Sequence, residues 1–248
     1  MTDTSLWNGY KFERFSFEDR DAIIVFPKER LEDGAWALKT EYWGAYPDIE
    51  LKLLGRGFHL AYVKNKTRFA TREDCDVKAR FVEYISKKYS LSPKCVPVGM
   101  SCGGAHAVNF AGYYPHLISC LYIDAPVLNF CDFPAKPSWS GIWEKEFTVA
   151  YPGVKRSDLL FFEPHPLNRA KALIENRIPV LLVYGDEDRT VIYEENGKLL
   201  EEAFADSDLL KVIRVSCRGH HPHGMIDTND NERIVDYIVD KTTAQKNG

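Results

Sequence analysis

The sequence predicts an α/β protein built on a mainly parallel, twisted sheet with helices on both faces. Three observations carry this. Short apolar strand-like runs alternate with stretches of helical spacing along most of the 248 residues, the rhythm of strand-helix-strand units. The run 178–184 is apolar at successive positions, as a parallel strand covered on both faces should be. Val98-Gly99-Met100-Ser101-Cys102-Gly103-Gly104 passes from an apolar strand into a helix through a glycine-rich turn.

The elements follow in order. Residues 10–17 alternate aromatic and polar side chains and read as a strand, residues 22–26 as a second, and Glu18-Asp19-Arg20-Asp21 as the turn between them. A polar loop after Pro27 ends near Gly34. Helical spacing is then read through Trp36, Leu38 and Trp43, and again through Ile49, Leu51, Leu53 and Leu54 up to the stop Gly55-Arg56-Gly57. Residues 58–63 form the next strand, and 72–89 carry Val77, Phe81, Val82, Tyr84 and Ile85 at helical spacing. The strand 95–100 holds Pro97, which cannot donate to a ladder and is awkward inside a sheet.

Residues 103–114 read as a helix stopped by Pro115, and 118–123 as an apolar strand ending at Asp124. From 128 to 177 the strand rhythm stops. This Pro- and aromatic-rich segment, with a helical piece at 167–176, reads as an insertion over the C-terminal edge of the sheet, where open α/β folds bind ligands. The rhythm resumes with the strand 178–184, a helix near 192–204, a strand 211–215 and a last helix near 230–240.

Composition narrows the class. At 45% hydrophobic and 27% charged residues the chain has the balance of a soluble globular protein with a substantial core. A net charge of −4 with both signs interspersed offers no basic stripe, so nucleic acid is not an expected partner. No apolar run approaches the ~20 residues of a membrane span and no signal-like segment opens the chain. A cytoplasmic location is expected. The cysteines at 75, 95, 102, 120, 131 and 217 lack CxxC spacing and read as free, buried thiols.

The glycine-rich turn has the pattern of a nucleophile elbow. A serine held at the tip of a strand-to-helix turn needs near-side-chain-free neighbours two residues away, and Gly99 and Gly103 meet that demand around Ser101. The same rule centred on Cys102 would need a small residue where Met100 stands. A serine hydroxyl needs a general base, and the base an orienting group. Two later loops offer them: Gly185-Asp186-Glu187-Asp188 after one strand, and Gly219-His220-His221-Pro222-His223 after the next. Asp124 is a third carboxylate at a strand end, and His221 and His223 compete with His220. A His-x-x-His cluster also suggests zinc, but no Cys or carboxylate stands at a firm ligand spacing, so no metal or cofactor is expected.

In the order Ser, Asp, His, with G-x-S-x-G, then G-x-x-D, then G-H, the chain resembles the α/β-hydrolase superfamily over nearly its whole length. The run Gly219-His220-His221-Pro222-His223-Gly224, with Trp36, Tyr42-Trp43-Gly44 and Pro47, is similar to compact bacterial esterases of the prolyl-oligopeptidase-like group. The resemblance implies a single α/β-hydrolase domain over 1–248 with a small lid at 128–177. It implies Ser101 as nucleophile, His220 as base and Asp188, at the third position after Gly185, as the orienting acid; Asp186 and then Asp124 are the alternatives. For the oxyanion it implies the Cys102 N–H and a donor from the loop after strand 22–26, where Pro27-Lys28-Glu29 replaces the commoner His-Gly pair. The Lys28 backbone is the expected donor and Trp36 its alternative.

The expected activity is cleavage of a small carboxylic ester, such as an acylated sugar, through an acyl-enzyme. A peptidase of prolyl-oligopeptidase type is the alternative among enzymes, although the large extra domain of those proteins is not seen in this sequence. A binding protein on the same fold is the alternative outside them. The aromatics Phe130, Phe133, Trp139, Trp143, Phe147, Tyr151, Phe161 and Phe162 either line a pocket under the lid or form the insertion's own core, and core is their commoner use.

Overall fold

The computed structural model describes residues 6–131, 141–225 and 230–244. Among the described residues nine strands form one sheet: β1 (Leu6–Trp7), β2 (Tyr10–Phe17), β3 (Arg20–Val25), β4 (Trp36–Lys39), β5 (His59–Val63), β6 (Val96–Met100), β7 (Leu121–Asp124), β8 (Val180–Gly185) and β9 (Leu210–Val215). Their order is β1-β2-β3-β5-β4-β6-β7-β8-β9. The pairs from β1 to β5 are antiparallel and those from β5 through β4 to β9 are parallel. Glu18 and Asp19 close the β2-β3 hairpin with φ of 48° and 61°, the left-handed pair that a two-residue hairpin turn demands.

Helices α1 (Asp48–Gly55) and α7 (Asn231–Ala244) cover one face of the sheet. The other face is covered by α2 (Arg72–Tyr89), α3 (Cys102–Tyr113), α5 (Ala170–Glu175) and α6 (Gly197–Ala203). α4 (Thr148–Ala150) is a single turn between β7 and β8. Strand β8 shows why the sheet needs both layers. Val180 and Leu182 enter the core under α2 and α3, and Leu181 and Val183 enter the core under α1 and α7.

The helical spacing read through Trp36 and Leu38 is not realised. Trp36, Ala37, Leu38 and Lys39 are all buried and form β4, hydrogen-bonded between β5 and β6. Four residues buried on both faces carry no periodicity that separates a strand from a buried helical piece. Lys39 is kept inside by an ion pair with the buried Glu50 of α1. Pro97 does stand in a central strand, opposite Leu38, and its missing N–H removes one ladder bond from β6.

Between β7 and β8, Phe130, Phe147, Leu159 and Phe162 pack with Phe69, Cys102 and Val191 into a third core above the C-terminal edge. Those aromatics form a core, as expected of the commoner case. Phe161 is 91% exposed, while Phe133 and Trp139 lie outside the described residues. No described helix is long and apolar enough to cross a membrane. The cysteines are free; 75, 95, 102 and 120 are buried, Cys131 is half-buried and Cys217 is exposed.

Candidate active site

Ser101 sits between β6 and α3 with φ 53° and ψ −123°. That backbone is strained for a residue with a side chain and is the mark of a tight strand-to-helix turn. The turn closes because its neighbours are glycines. A Cβ on Gly99 would lie 2.5 Å from the Gly103 carbonyl oxygen, and one on Gly104 would collide with the Pro126 ring. Gly104 is thus under tighter demand than Gly103, whose added Cβ would meet Glu41 at 3.2 Å. Cys102 is the first residue of α3, so its N–H has no carbonyl one turn back and points out of the helix end beside Ser101.

The loops after β8 and β9 bring the partners. His220 Nε2 lies 3.1 Å from Ser101 Oγ, and His220 Nδ1 lies 2.8 Å from Asp188 Oδ2. The other Asp188 oxygen accepts the N–H groups of Thr190 and Val191 at 2.8 and 2.9 Å, which fixes the carboxylate. Burial raises the Asp188 carboxyl, but the hydrogen bonds from His220 and Val191, the imidazole charge and the Thr190 N–H outweigh it and leave its pKa below the ordinary value.

The two rival carboxylates are occupied elsewhere. Asp186 pairs with Arg214 at 2.8 Å and accepts the Cys217 N–H at 2.7 Å on the outer side of the loop. Asp124, fully buried at the end of β7, accepts from Arg218 at 2.8 and 3.3 Å, Tyr122 at 3.0 Å and the Gly224 N–H at 2.5 Å, and meets His223 Nδ1 at 3.3 Å. Arg218 is itself 1% exposed. This clamp ties both ends of the segment 218–224, with His220 between them, to the sheet. The sequence reading missed Arg218, because 94 residues separate it from Asp124 and no local pattern marks the pair.

Lys28 requires a correction. β3 runs antiparallel to β5, so the loop that follows it emerges at the opposite edge of the sheet from Ser101, where the Lys28 ammonium lies 5.8 Å from the Tyr10 ring centre. Trp36 begins β4 at that same far edge and donates its indole N–H to Ser92. The loop that does reach Ser101 follows β4, the strand paired with β6. Thr40 Oγ1 donates to the Gly103 carbonyl at 2.7 Å, and Tyr42 lines the cavity above Ser101. Burial holds the Tyr42 phenol protonated next to Cys102. Helical spacing read through Trp36, Leu38 and Trp43 hides this loop.

A cavity of about 370 Å³ opens over Ser101 and His220, walled by Tyr42, Tyr46, Arg68, Ile142 and Thr190. Its size suits a small molecule. Arg68 is tied to Glu146 by contacts of 2.6 and 3.1 Å. His221 is exposed and stacks on Tyr46, with ring centres 4.8 Å apart and planes 10° apart.

The sequence matches no protein-family model and no curated protein. Solved structures do match. An acylaminoacyl peptidase from Pyrococcus horikoshii superposes with a TM-score of 0.69 at 15% identity, covering 94% of this chain and 41% of its own. A puromycin-hydrolysing peptidase from Mycobacterium tuberculosis superposes with 0.71 at 15% identity, covering 92% and 38%. A truncated carbohydrate esterase from gut microbiota superposes with 0.68 at 17% identity, covering 92% and 93%. The chain thus spans about two fifths of the two peptidases and nearly all of the esterase. The fold is that of the α/β-hydrolases.

Proposed function

We propose that the chain is a serine hydrolase that cleaves carboxylic esters with a small acyl group through an acyl-enzyme. The observation that carries this is the hydrogen-bonded row Ser101, His220, Asp188 at the floor of a cavity. His220 Nε2 takes the Ser101 proton as Oγ attacks the ester carbon, and the Cys102 N–H faces the oxygen that gains charge. His220 then gives the proton to the leaving alcohol. A water deprotonated by His220 attacks the acyl-enzyme, and Ser101 regains its proton as the acid leaves. Asp188 holds Nδ1–H, so that Nε2 is the basic nitrogen.

The loop 40–42 is the natural source of a second oxyanion donor, since it is bonded to the α3 terminus through Thr40. A cavity of about 370 Å³ favours a compact ester over an extended peptide, and an acylated sugar fits the activity printed for the gut esterase of nearly equal extent. The test is labelling by a fluorophosphonate together with turnover of p-nitrophenyl acetate, of acetylated sugars and of short peptide anilides. The wild type should label and turn over esters, and Ser101→Ala should do neither, with kcat lower by about ten-thousand-fold or more. Wild-type protein that neither labels nor hydrolyses any ester would overturn the reading in favour of a binding protein, and preference for the anilides would move it to the peptidases.

A further inference from the structure

The segment that delivers His220 carries two more imidazoles that the hydrolase chemistry leaves unused. One ring nitrogen from each of His220, His221 and His223 lies within 4.8 Å of the other two. Their ring centres are 4.5, 5.1 and 5.0 Å apart and their planes cross at 68°, 77° and 81°. Three imidazoles on one tetrahedral zinc, with Zn–N of ~2.0–2.1 Å, place their ring centres about 5 Å apart. The spacing of the rings is already that of a three-histidine site.

Orientation points the same way. Metal-bound histidines characteristically give their other ring nitrogen to a carboxylate, which fixes the tautomer and strengthens the donor. His220 has Asp188 at Nδ1 and His223 has Asp124 at Nδ1, so in both the remaining nitrogen is Nε2. His221 lies flat on Tyr46, which sets its plane. Drawing nitrogens that lie within 4.8 Å of one another to the ~3.3 Å of tetrahedral coordination takes side-chain rotation, and His221 is exposed and has room for it.

We propose that His220, His221 and His223 form a binding site for a divalent transition ion that prefers imidazole, zinc foremost, and that the bound ion takes Nε2 of His220 from Ser101 and so stops hydrolysis. An all-imidazole set selects zinc, copper or nickel over magnesium and calcium. Nε2 has one lone pair: coordinated to an ion, it cannot accept the Ser101 proton. The arrest of catalysis rests on the hydrolase reading above, whereas the binding of the ion does not.

The binding test uses Ser101→Ala in a Cys217→Ser background, which removes turnover, the competing hydroxyl and the exposed thiol. Calorimetric titration with zinc chloride should show one ion per chain, and cobalt(II) should give the visible bands of a tetrahedral nitrogen-rich site without a thiolate charge-transfer band. His221→Gln and His221→Ala, changes at an exposed position, should weaken binding at least about tenfold, the loss seen even for partners outside the ligand set. His223→Gln should do the same if it folds. Zinc affinity weaker than about 1 mM, or affinity unchanged in both His221 variants, overturns the site. In the wild type, zinc should abolish ester turnover reversibly with EDTA, and the zinc needed should rise about tenfold in His221→Gln relative to that variant's own zinc-free rate. Zinc that binds at these histidines and leaves turnover unchanged would overturn the capture of His220.

Discussion

Asp188 and Asp186 stand two residues apart in one loop, and only their surroundings separate them. Asp188 is 7% exposed, holds two backbone N–H groups and meets His220; Asp186 faces outward to Arg214. Asp188→Asn keeps the shape but presents an amide to Nδ1, which favours the wrong tautomer of His220. Turnover of p-nitrophenyl acetate should fall by about ten-thousand-fold while the fold survives, the effect known for this exchange in a serine-protease triad. Asp186→Asn loses only an ion pair on the water-exposed side of the loop and should keep its rate near that of the wild type. Equal losses in the two variants would show that the loop's shape, and not the Asp188 charge, is what His220 requires. From sequence the resemblance pointed to Asp188 through its distance from Gly185, but the physical reason, two amides of the following turn aimed at Oδ1, exists only once the loop has folded.

At the scale of elements, strand ends and their loops decide what was legible. The elbow between β6 and α3 is local, and its glycines announce it. The Asp124–Arg218 clamp is not local, and nothing in residues 118–124 or 216–224 alone reveals it. β4 was misread because a four-residue strand buried on both faces has no period, and the error displaced the expected oxyanion donor to Lys28 at the wrong edge. The clamp yields a stability prediction. Burial pushes the Asp124 carboxyl up, yet the hydrogen bond from His223 and the charge of Arg218 hold it down to about 2, against an ordinary value of 3.8. A folded pKa below the unfolded one means that Asp124 stabilises fully above about pH 4 and that this contribution is lost as pH falls through about 2. Asp124→Asn leaves Arg218 buried without its counter-charge and should cost about 3–5 kcal/mol in urea unfolding at neutral pH. The same variant should lack the part of the wild-type acid-unfolding limb between about pH 4 and 2. A variant as stable as the wild type would mean that Gly224 and His223 hold the segment without the ion pair.

On the scale of the whole molecule, the sheet has two unlike edges. The far edge ends in structural contacts such as Trp36 with Ser92, while the loops after β4, β6, β8 and β9 reach the edge where Ser101 lies, with Phe130, Phe147, Leu159 and Phe162 packed beside them. The stretch 141–162 is joined to this edge in two ways that differ in kind. Its aromatic core with Phe69 and Cys102 is buried, whereas the Arg68–Glu146 pair is 37% exposed on each side and screened by water. Removing the pair should therefore change stability by no more than about 1 kcal/mol. Its effect should fall on the cavity, because Arg68 forms part of the wall and Glu146 neutralises it. Glu146→Gln uncovers a guanidinium beside the site, and a guanidinium binds carboxylate through paired hydrogen bonds. For a pair of esters that differ only in a carboxylate on the part away from the reacting carbon, Glu146→Gln should lower KM for the anionic ester relative to the neutral one, with kcat little changed, since the contact is made equally before and during the reaction. Arg68→Gln should abolish that preference. A fall in kcat for both esters alike would instead show that the tie holds the stretch around Glu146 in the position the reacting groups need.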